Sequence, residues 1–233
     1  MSLTIAIDGP SGSGKSSVSR RVAAALGLAY LDTGAMYRAA TWWCVQQDVD
    51  LSDQDAVSAL VLELPLEMGV DPSGPTVHVA GTDVGEAIRE SSISTAVSAV
   101  ATNLTVRDEM RRLQRAIIDA ERSGGFSSGG GVVAEGRDIT TVVAPDADVR
   151  MLLTASEEAR LARRARDVHG ADDAAAVDAT RDEVLRRDAD DSTVSQFLVA
   201  ADGVVTLDSS GLDLEGTVDA VLAVVSQVTG SSR

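Results

Sequence analysis

The sequence predicts an α/β three-layer sandwich: a mostly parallel five-stranded sheet between helices, carrying a small β insertion and a helical lid. Three observations predict it. Short apolar runs at 3–8, 28–32, 131–134, 148–153 and 204–208 have the length and composition of buried strands. Helical periodicities at 16–26, 35–47, 95–121, 156–168 and 214–228 lie between and beyond them, and that alternation makes a parallel sheet covered on both faces. Two stretches, 61–93 and 157–192, interrupt the alternation and are read as inserted units within a single 1–233 domain.

The first strand runs into Gly9-Pro10-Ser11-Gly12-Ser13-Gly14-Lys15-Ser16, which fits G-x-x-x-x-G-K-[ST] at every specified position. Val18, Val22, Ala25 and Leu26 then follow at helical spacing, and Gly27 is placed to end the helix. Strand, glycine-rich turn and helix are what a P-loop requires, so the sandwich is expected to be a P-loop fold that binds a nucleoside triphosphate. Backbone N–H groups at the positive end of a helix would face the phosphates. Gly9, Gly12 and Gly14 would let the backbone come close or take positive φ. Lys15 is the only lysine among 20 basic residues, kept where a β/γ-phosphate needs a compact ammonium. The run from Gly9 through Pro10, Ser11, Gly12, Ser13, Gly14, Lys15 and Ser16 to Ser17 is the expected ATP site, with the Ser16 hydroxyl as the Mg²⁺ ligand.

Between the second and third strands, 63–68 and 76–79 alternate like exposed antiparallel strands around a turn-rich 69–75, which makes 61–93 a small β subdomain. The stretch 157–192 is helical and rich in arginine. The glycine-rich 123–131 reads as a flexible loop before the third strand.

Composition narrows the partners. A net charge of −16 argues against non-specific attraction to nucleic acid or anionic lipid. The single Cys44 rules out an internal disulfide and suits a reducing cytoplasm. With a strand starting at residue 3 and no long apolar run, no signal peptide or membrane span is expected. A cytoplasmic monomer acting on small molecules is the expectation. Guanine-reading switch proteins need an Asn-Lys-x-Asp element, which cannot exist where Asn103 is the only asparagine and Lys15 the only lysine. Motor ATPases carry a strand ending in paired acids, whereas the third strand here ends Ala134-Glu135-Gly136.

Several further runs, in order from residue 3 to about 193, resemble bacterial cytidylate kinases. They are 31–38 (LDTGAMYR), the insertion segment 81–89 (GTDVGEAIR), Ser98 and Arg107 nine apart, 135–138 (EGRD) with 141–147 (TVVAPDA), and 187–192 (RDADDS). The resemblance implies a P-loop nucleoside monophosphate kinase using Mg²⁺-ATP to convert CMP or dCMP to its diphosphate. It implies Lys15, Arg137, Arg160 and Arg164 as the catalytic cations. It implies Thr33, Tyr37, Arg38, Ser98, Arg107, Arg137, Asp138, Arg187 and Asp191 as the CMP site. Asp138 would accept from the exocyclic amine that separates cytosine from uracil, with Arg107 and Ser98 on other base edges, and Arg187 with Asp191 would hold the sugar. Asp32 is expected either as a turn residue at the strand end or, from its position near the phosphate loop, in an indirect role at Mg²⁺. One departure stands out: Val194 occupies the place of a family arginine, three positions after the aspartate, and no proline-leucine pair follows.

Other residues have ordinary explanations. Arg111, Arg112 and Arg115 would form a solvated helix face, and most arginines of 157–187 would pair at i,i+4 with nearby acids. Trp42 and Trp43 are expected in the core, and His78 and His169 are given no role. The rivals are a kinase for uridylate or a non-nucleotide alcohol, and a regulatory switch that hydrolyses its nucleotide.

Overall fold

The computed structural model describes residues 2–230, with the exception of the His169 side chain. The termini of the expected 1–233 domain fall outside that description. Strand β1 (Leu3–Asp8) leads through the glycine-rich turn into helix α1 (Lys15–Leu26). Strand β2 (Ala29–Asp32) and helix α2 (Thr33–Gln46) follow directly. Helix α2 starts two residues before the expected helix because the Asp32 carboxylate caps it, accepting from the Ala35 N–H at 2.7 Å. Helix α3 (Gln54–Leu62), which periodicity had not marked, is fixed in the same way: Asp53 accepts from the Ala56 N–H at 3.0 Å.

The insertion is a three-stranded antiparallel sheet of β3 (Leu66–Met68), β4 (Val77–Val79) and β5 (Thr82–Asp83), followed by a 3₁₀ turn at Ala87–Arg89. Its buried Val77, Val79, Val84 and Ile88 pack on Ala35 and Ala39 of α2, with the half-buried Trp42 and Trp43 at the margin. The single helix expected over 95–121 is two, α4 (Ser91–Ala101) and α5 (Leu104–Ser123). Asn103 divides them because its side-chain oxygen accepts from the N–H groups of Thr105 and Val106, restarting the chain as a new helix.

The glycine-rich 124–130 segment is an organised turn. The buried Glu121 carboxylate accepts from the N–H groups of Phe126 and Ser127 at 2.9 and 2.8 Å. It delivers the chain to β6 (Gly131–Gly136), then to a single π-helical turn at Ile139–Val143 and to β7 (Val149–Thr154). The arginine-rich stretch forms α6 (Glu157–His169) and α7 (Ala174–Ser192), and β8 (Val205–Asp208) and α8 (Leu214–Thr229) complete the chain.

The main sheet has the order β2-β6-β1-β7-β8, and every neighbouring pair is parallel. It is thus wholly parallel, and its central strands are buried on both faces, as their continuous apolar runs require. Ile5, Ile7 and Val133 face α1 and α8. Ala6, Val132 and Ala134 face the layer built from α2 to α5. Register aligns Asp8 with Gly136 and Asp32 with Glu135, so the turns after β1, β2 and β6 open at one end of the sheet. Ligand sites of open parallel sheets lie at that carboxyl end. No described helix is long and apolar enough to cross a membrane.

Candidate functional site

The turn after β1 is shaped by two close approaches. A Cβ on Gly9 would lie 2.3 Å from the Leu153 carbonyl oxygen at the end of β7. Gly12 has φ +75°, and a Cβ there would lie 2.5 Å from the Arg160 carbonyl oxygen in α6. Both approaches are to backbone, which cannot give way, so glycine is required for packing as well as conformation. Ser11, Gly12, Gly14, Lys15, Ser16 and Ser17 line the cavity above the turn. Gly9, Pro10 and Ser13 lie behind that wall, where the Pro10 carbonyl accepts from Lys15 Nζ at 3.4 Å. Burial pushes the Lys15 ammonium below its ordinary 10.5, and the Glu135 carboxylate opposes that shift.

Glu135 has a place that sequence reasoning missed. It ends β6 fully buried, accepts from Ser16 Oγ at 2.6 Å and accepts from the Tyr30 hydroxyl at 3.2 Å. Burial raises its carboxyl above 4.5, the neighbouring Asp32 adds to the rise, and Lys15 works against it. An acid at the carboxyl end of a strand paired with β1 is the available signal; in the sequence Glu135 enters against the motor ATPases and within the 135–138 run, with no role of its own. Among the described residues there is no group of three His, Cys, Asp or Glu side chains suited to a metal ion. The oxygens near the loop's end are the Ser16 hydroxyl and the carboxylates of Glu135 and Asp32. That small, hard donor set fits Mg²⁺, which keeps waters and takes its remaining ligands from phosphates.

The turn after β2 presents Asp32, Thr33, Tyr37 and Arg38 to the same cavity. The Thr33 hydroxyl donates to the Glu135 carbonyl at 2.7 Å, and Arg38 Nη2 donates to Asp32 at 3.1 Å. The turn after β6 presents Arg137 and Asp138. This turn is fixed to the phosphate loop's own strand through Asp8. Its carboxylate accepts from the Ile139 and Thr140 N–H groups, both at 2.9 Å, and from the Thr140 hydroxyl at 2.6 Å. Burial still raises the Asp8 carboxyl above its ordinary range, against those bonds.

Helix α7 closes the cavity with a row of acids and arginines. Asp188, part of the 187–192 run but given no role there, is buried and accepts from Arg137 Nη1 at 2.9 Å, from the Ser11 N–H at 3.0 Å and from Arg160. It therefore clamps α6, α7, the loop and the turn after β6 together. Arg137 also pairs with Asp191 at 2.6 Å and lies over the Phe197 ring, 4.2 Å from its centroid. Arg187 is pushed down to about 10 by burial, and Arg137 and Arg38 add like-charge repulsion that Asp191 only partly offsets. Such crowding of guanidinium groups suits a site that receives an anion.

The other lid arginines divide. Arg164 lines the cavity and pairs with Glu183 of α7 at 2.8 Å. Arg160 does not line it; its guanidinium holds the Ser11 carbonyl at 2.8 Å and Asp188. Arg163 likewise holds the Ser13 carbonyl at 3.1 Å, and its Nη2 donates to the Ser209 carbonyl. Arg181 pairs with Glu157 on the other lid helix, so the i,i+4 pairing expected of these arginines is replaced for Arg164 and Arg181 by contacts between helices.

At the far end of the cavity, Arg107 Nη2 donates to Asp138 at 2.8 Å and to Ser195 Oγ at 2.5 Å. Arg111, expected on a solvated face, also donates to Asp138, and Arg115 donates to the carbonyls of Val142 and Val143. Ser98 does not line the cavity; Val97 and Ala101, on either side of it in α4, do. Val194 is half-buried outside the cavity wall, while its neighbours Ser195 and Phe197 meet Arg107 and Arg137.

Comparison with known proteins agrees with this geometry. The profile of the family described as "Cytidylate kinase" matches residues 5–227. A cytidylate kinase of Streptomyces avermitilis is 46% identical over 224 residues, spanning 96% of this chain and 92% of the relative. That of Nocardia farcinica is 48% identical over 240 residues, spanning 99% and 97%. That of Rhodococcus opacus is 47% identical over 233 residues, spanning 98% and 97%.

Proposed function

The chain belongs to the cytidylate kinase family, and from that premise we propose that it transfers the γ-phosphoryl group of ATP to the 5′-phosphate of CMP or dCMP. One observation carries the reading: Lys15, Arg38, Arg137, Arg164 and Arg187 converge on a single cavity of an otherwise acidic protein. Two polyanions are the ligands that such a convergence suits.

The attacking group is a phosphate oxygen, whose monoester has a second pKa near ~6 and is mostly dianionic at neutral pH. No general base is needed. The difficulty is repulsion between substrates and charge on the transferring group, so catalysis is alignment plus fixed positive charge. Lys15 and the loop N–H groups address the donor phosphates, with Ser16, seated against Glu135, as the protein ligand for Mg²⁺. When bound, Mg²⁺ neutralises charge on the donor phosphates. Arg38 and Arg137 grip the acceptor phosphate, joined by Arg187, and Arg164 reaches in from the lid. Asp32, Asp188 and Asp191 hold the three acceptor-side guanidinium groups in place before substrate arrives. Asp138 accepts from the cytosine amine with the oxygen that its arginines leave free.

Residues 61–93 are proposed as the acceptor-binding subdomain and 157–192 as the lid. The expectation of a cytoplasmic monomer rests on the sequence alone; sedimentation of the purified chain checks the oligomeric part. A coupled ADP-release assay across CMP, dCMP, UMP, AMP and GMP tests the function. CMP and dCMP should have the highest kcat/KM. Preference for another acceptor, or ATP hydrolysis indifferent to acceptor, would overturn the reading in favour of another small-molecule kinase or a switch.

A further inference from the structure

The base end of the cavity holds a contact that the phosphate chemistry does not use. Arg111 lies one helical turn after Arg107 on α5 and does not line the cavity, whereas Arg107 and Asp138 do. Its Nε and Nη2 both donate to Asp138 Oδ2, at 3.1 and 2.9 Å, and Arg107 Nη2 donates to the same oxygen at 2.8 Å. Three guanidinium N–H groups from two turns of one helix thus converge on one carboxylate oxygen. Oδ1 has no hydrogen-bond partner among the described residues.

Arg107 cannot fix that carboxylate alone. It also donates to the Ala101 carbonyl at 3.0 Å and to Ser195 Oγ at 2.5 Å, so only Nη2, shared with Ser195, reaches Asp138. One shared donor leaves the carboxylate free to turn about its Cβ–Cγ bond. A second cation approaching from behind the cavity wall removes that freedom and keeps Oδ1 presented as an acceptor. Both side chains are well shielded: Asp138 is 6% exposed and Arg111 19%. The exposed Asp108, 3.3 Å from Arg111 Nη1, is a weak competitor for it.

We propose that Arg111 is a positioning residue for base recognition, aiming Asp138 Oδ1 at the exocyclic amine of the acceptor base and so setting the preference for cytosine over uracil. The proposal rests on the reading of Asp138 as the base-facing carboxylate. Uracil presents a carbonyl oxygen where cytosine presents N–H groups, so a fixed acceptor repels it and a turning one admits it.

The test compares Arg111→Leu, Arg111→Lys and Asp138→Asn, with kcat and KM measured for CMP, UMP and ATP. Arg111→Leu should lower the CMP-to-UMP ratio of kcat/KM by about three- to tenfold, the scale of one ordinary hydrogen bond, because Arg107 still holds part of the carboxylate. The loss should appear as a higher KM for CMP, with KM for ATP unchanged, because the donor loop is untouched. Arg111→Lys should restore part of the ratio, since it keeps a cation but not the two-donor edge. A merely structural role would lower thermal stability without moving base preference or answering to lysine. If Arg111→Leu fails to fold, Arg111→Gln carries the same expectation with helix propensity preserved. A wild-type ratio in Arg111→Leu, alongside a collapsed ratio in Asp138→Asn, would overturn the proposal and leave the reading of Asp138 standing. A wild-type ratio in Asp138→Asn would remove the premise, and the proposal with it.

Discussion

The two ends of the cavity are held by different means. The donor end is one continuous stretch, strand, turn and helix, whose ligands are backbone N–H groups and one lysine. The acceptor end is gathered from five helices and two strand ends, and its arginines are held by acids both near and far in the chain: Asp32 holds Arg38 and Asp191 faces Arg187 within two helical turns, whereas Arg137 is held by Asp188 and Asp191 and Arg107 by Asp138. A backbone cradle needs only the right local conformation. An ionic cradle has cations that repel one another, which adds to the lowering that burial imposes on Arg187, and it depends on carboxylates to keep them in place. The donor end should therefore fail when its one cation is removed, and the acceptor end when its counter-charges are.

Lys15→Ala should give the largest effect and sharpen the contrast. Turnover should fall by more than about tenfold with the fold intact, because such contacts supply several kcal/mol in the transition state. Steady-state turnover with a melting curve checks it. Retained turnover in a folded variant would mean that the loop backbone alone suffices.

Asp188→Ala should come next and should damage both ends. Removing one partner of a buried ionic cluster leaves uncompensated charge and typically costs about 3–5 kcal/mol. The variant should melt lower and lose kcat together with CMP affinity. ATP and CMP added together should recover part of the lost melting temperature, since ligands that bind only the folded chain stabilise it. A melting temperature equal to wild type would show that the lid does not depend on this clamp.

Gly12→Ala tests the donor end by geometry instead of charge. Positive φ and a Cβ 2.5 Å from the Arg160 carbonyl force either the loop or the lid helix to move. Both stability and KM for ATP should suffer, while the CMP-to-UMP ratio stays at its wild-type value. Asp138→Asn should do the opposite: the CMP-to-UMP ratio should fall by about 1–3 kcal/mol in transition-state terms, with KM for ATP unchanged. Equal effects of the two variants on base preference would erase the proposed division of labour.

Arg166→Ala should have the smallest effect. Its pair with Asp172 is more than half exposed on both sides, at 57% and 53%. Exposed pairs contribute about 0–1 kcal/mol, so melting and kinetics should stay near wild type. A large loss there would mean that the lid's outer surface also takes part in closure.

The legibility of the site follows the same division. The P-loop was readable because its conformation depends on glycines adjacent in sequence. Arg38, Arg107, Arg137, Asp138, Arg187 and Asp191 were readable through resemblance, and the structure brings them to one cavity. Glu135 and Asp188 were missed because they act through partners 119 and 177 residues away. Both lie in runs quoted for the resemblance, but neither run shows which distant partner its acid meets. Arg111 was misread because an arginine four residues from another on a helix has the pattern of an ordinary surface charge. Arg160, expected at the phosphates, holds the Ser11 carbonyl and Asp188, contacts that lie outside any sequence pattern.

Short-range physics set what the amino-acid order determined by itself: the alternation of buried strands and helices, the glycine-rich turn with its lysine, and the antiparallel strands that break the alternation between α3 and α4. Strand burial, helical periodicity and positive-φ glycines act within a few residues. Tertiary structure alone decided which distant acid holds which arginine, as Asp188 holds Arg137 and Arg160, because those pairs form between groups brought together only after the sheet has ordered its strands β2-β6-β1-β7-β8. It also decided that one Asp138 oxygen is tied and the other left open. That asymmetry depends on two arginines of α5 meeting a turn that Asp8, 131 residues before Ile139, holds in position.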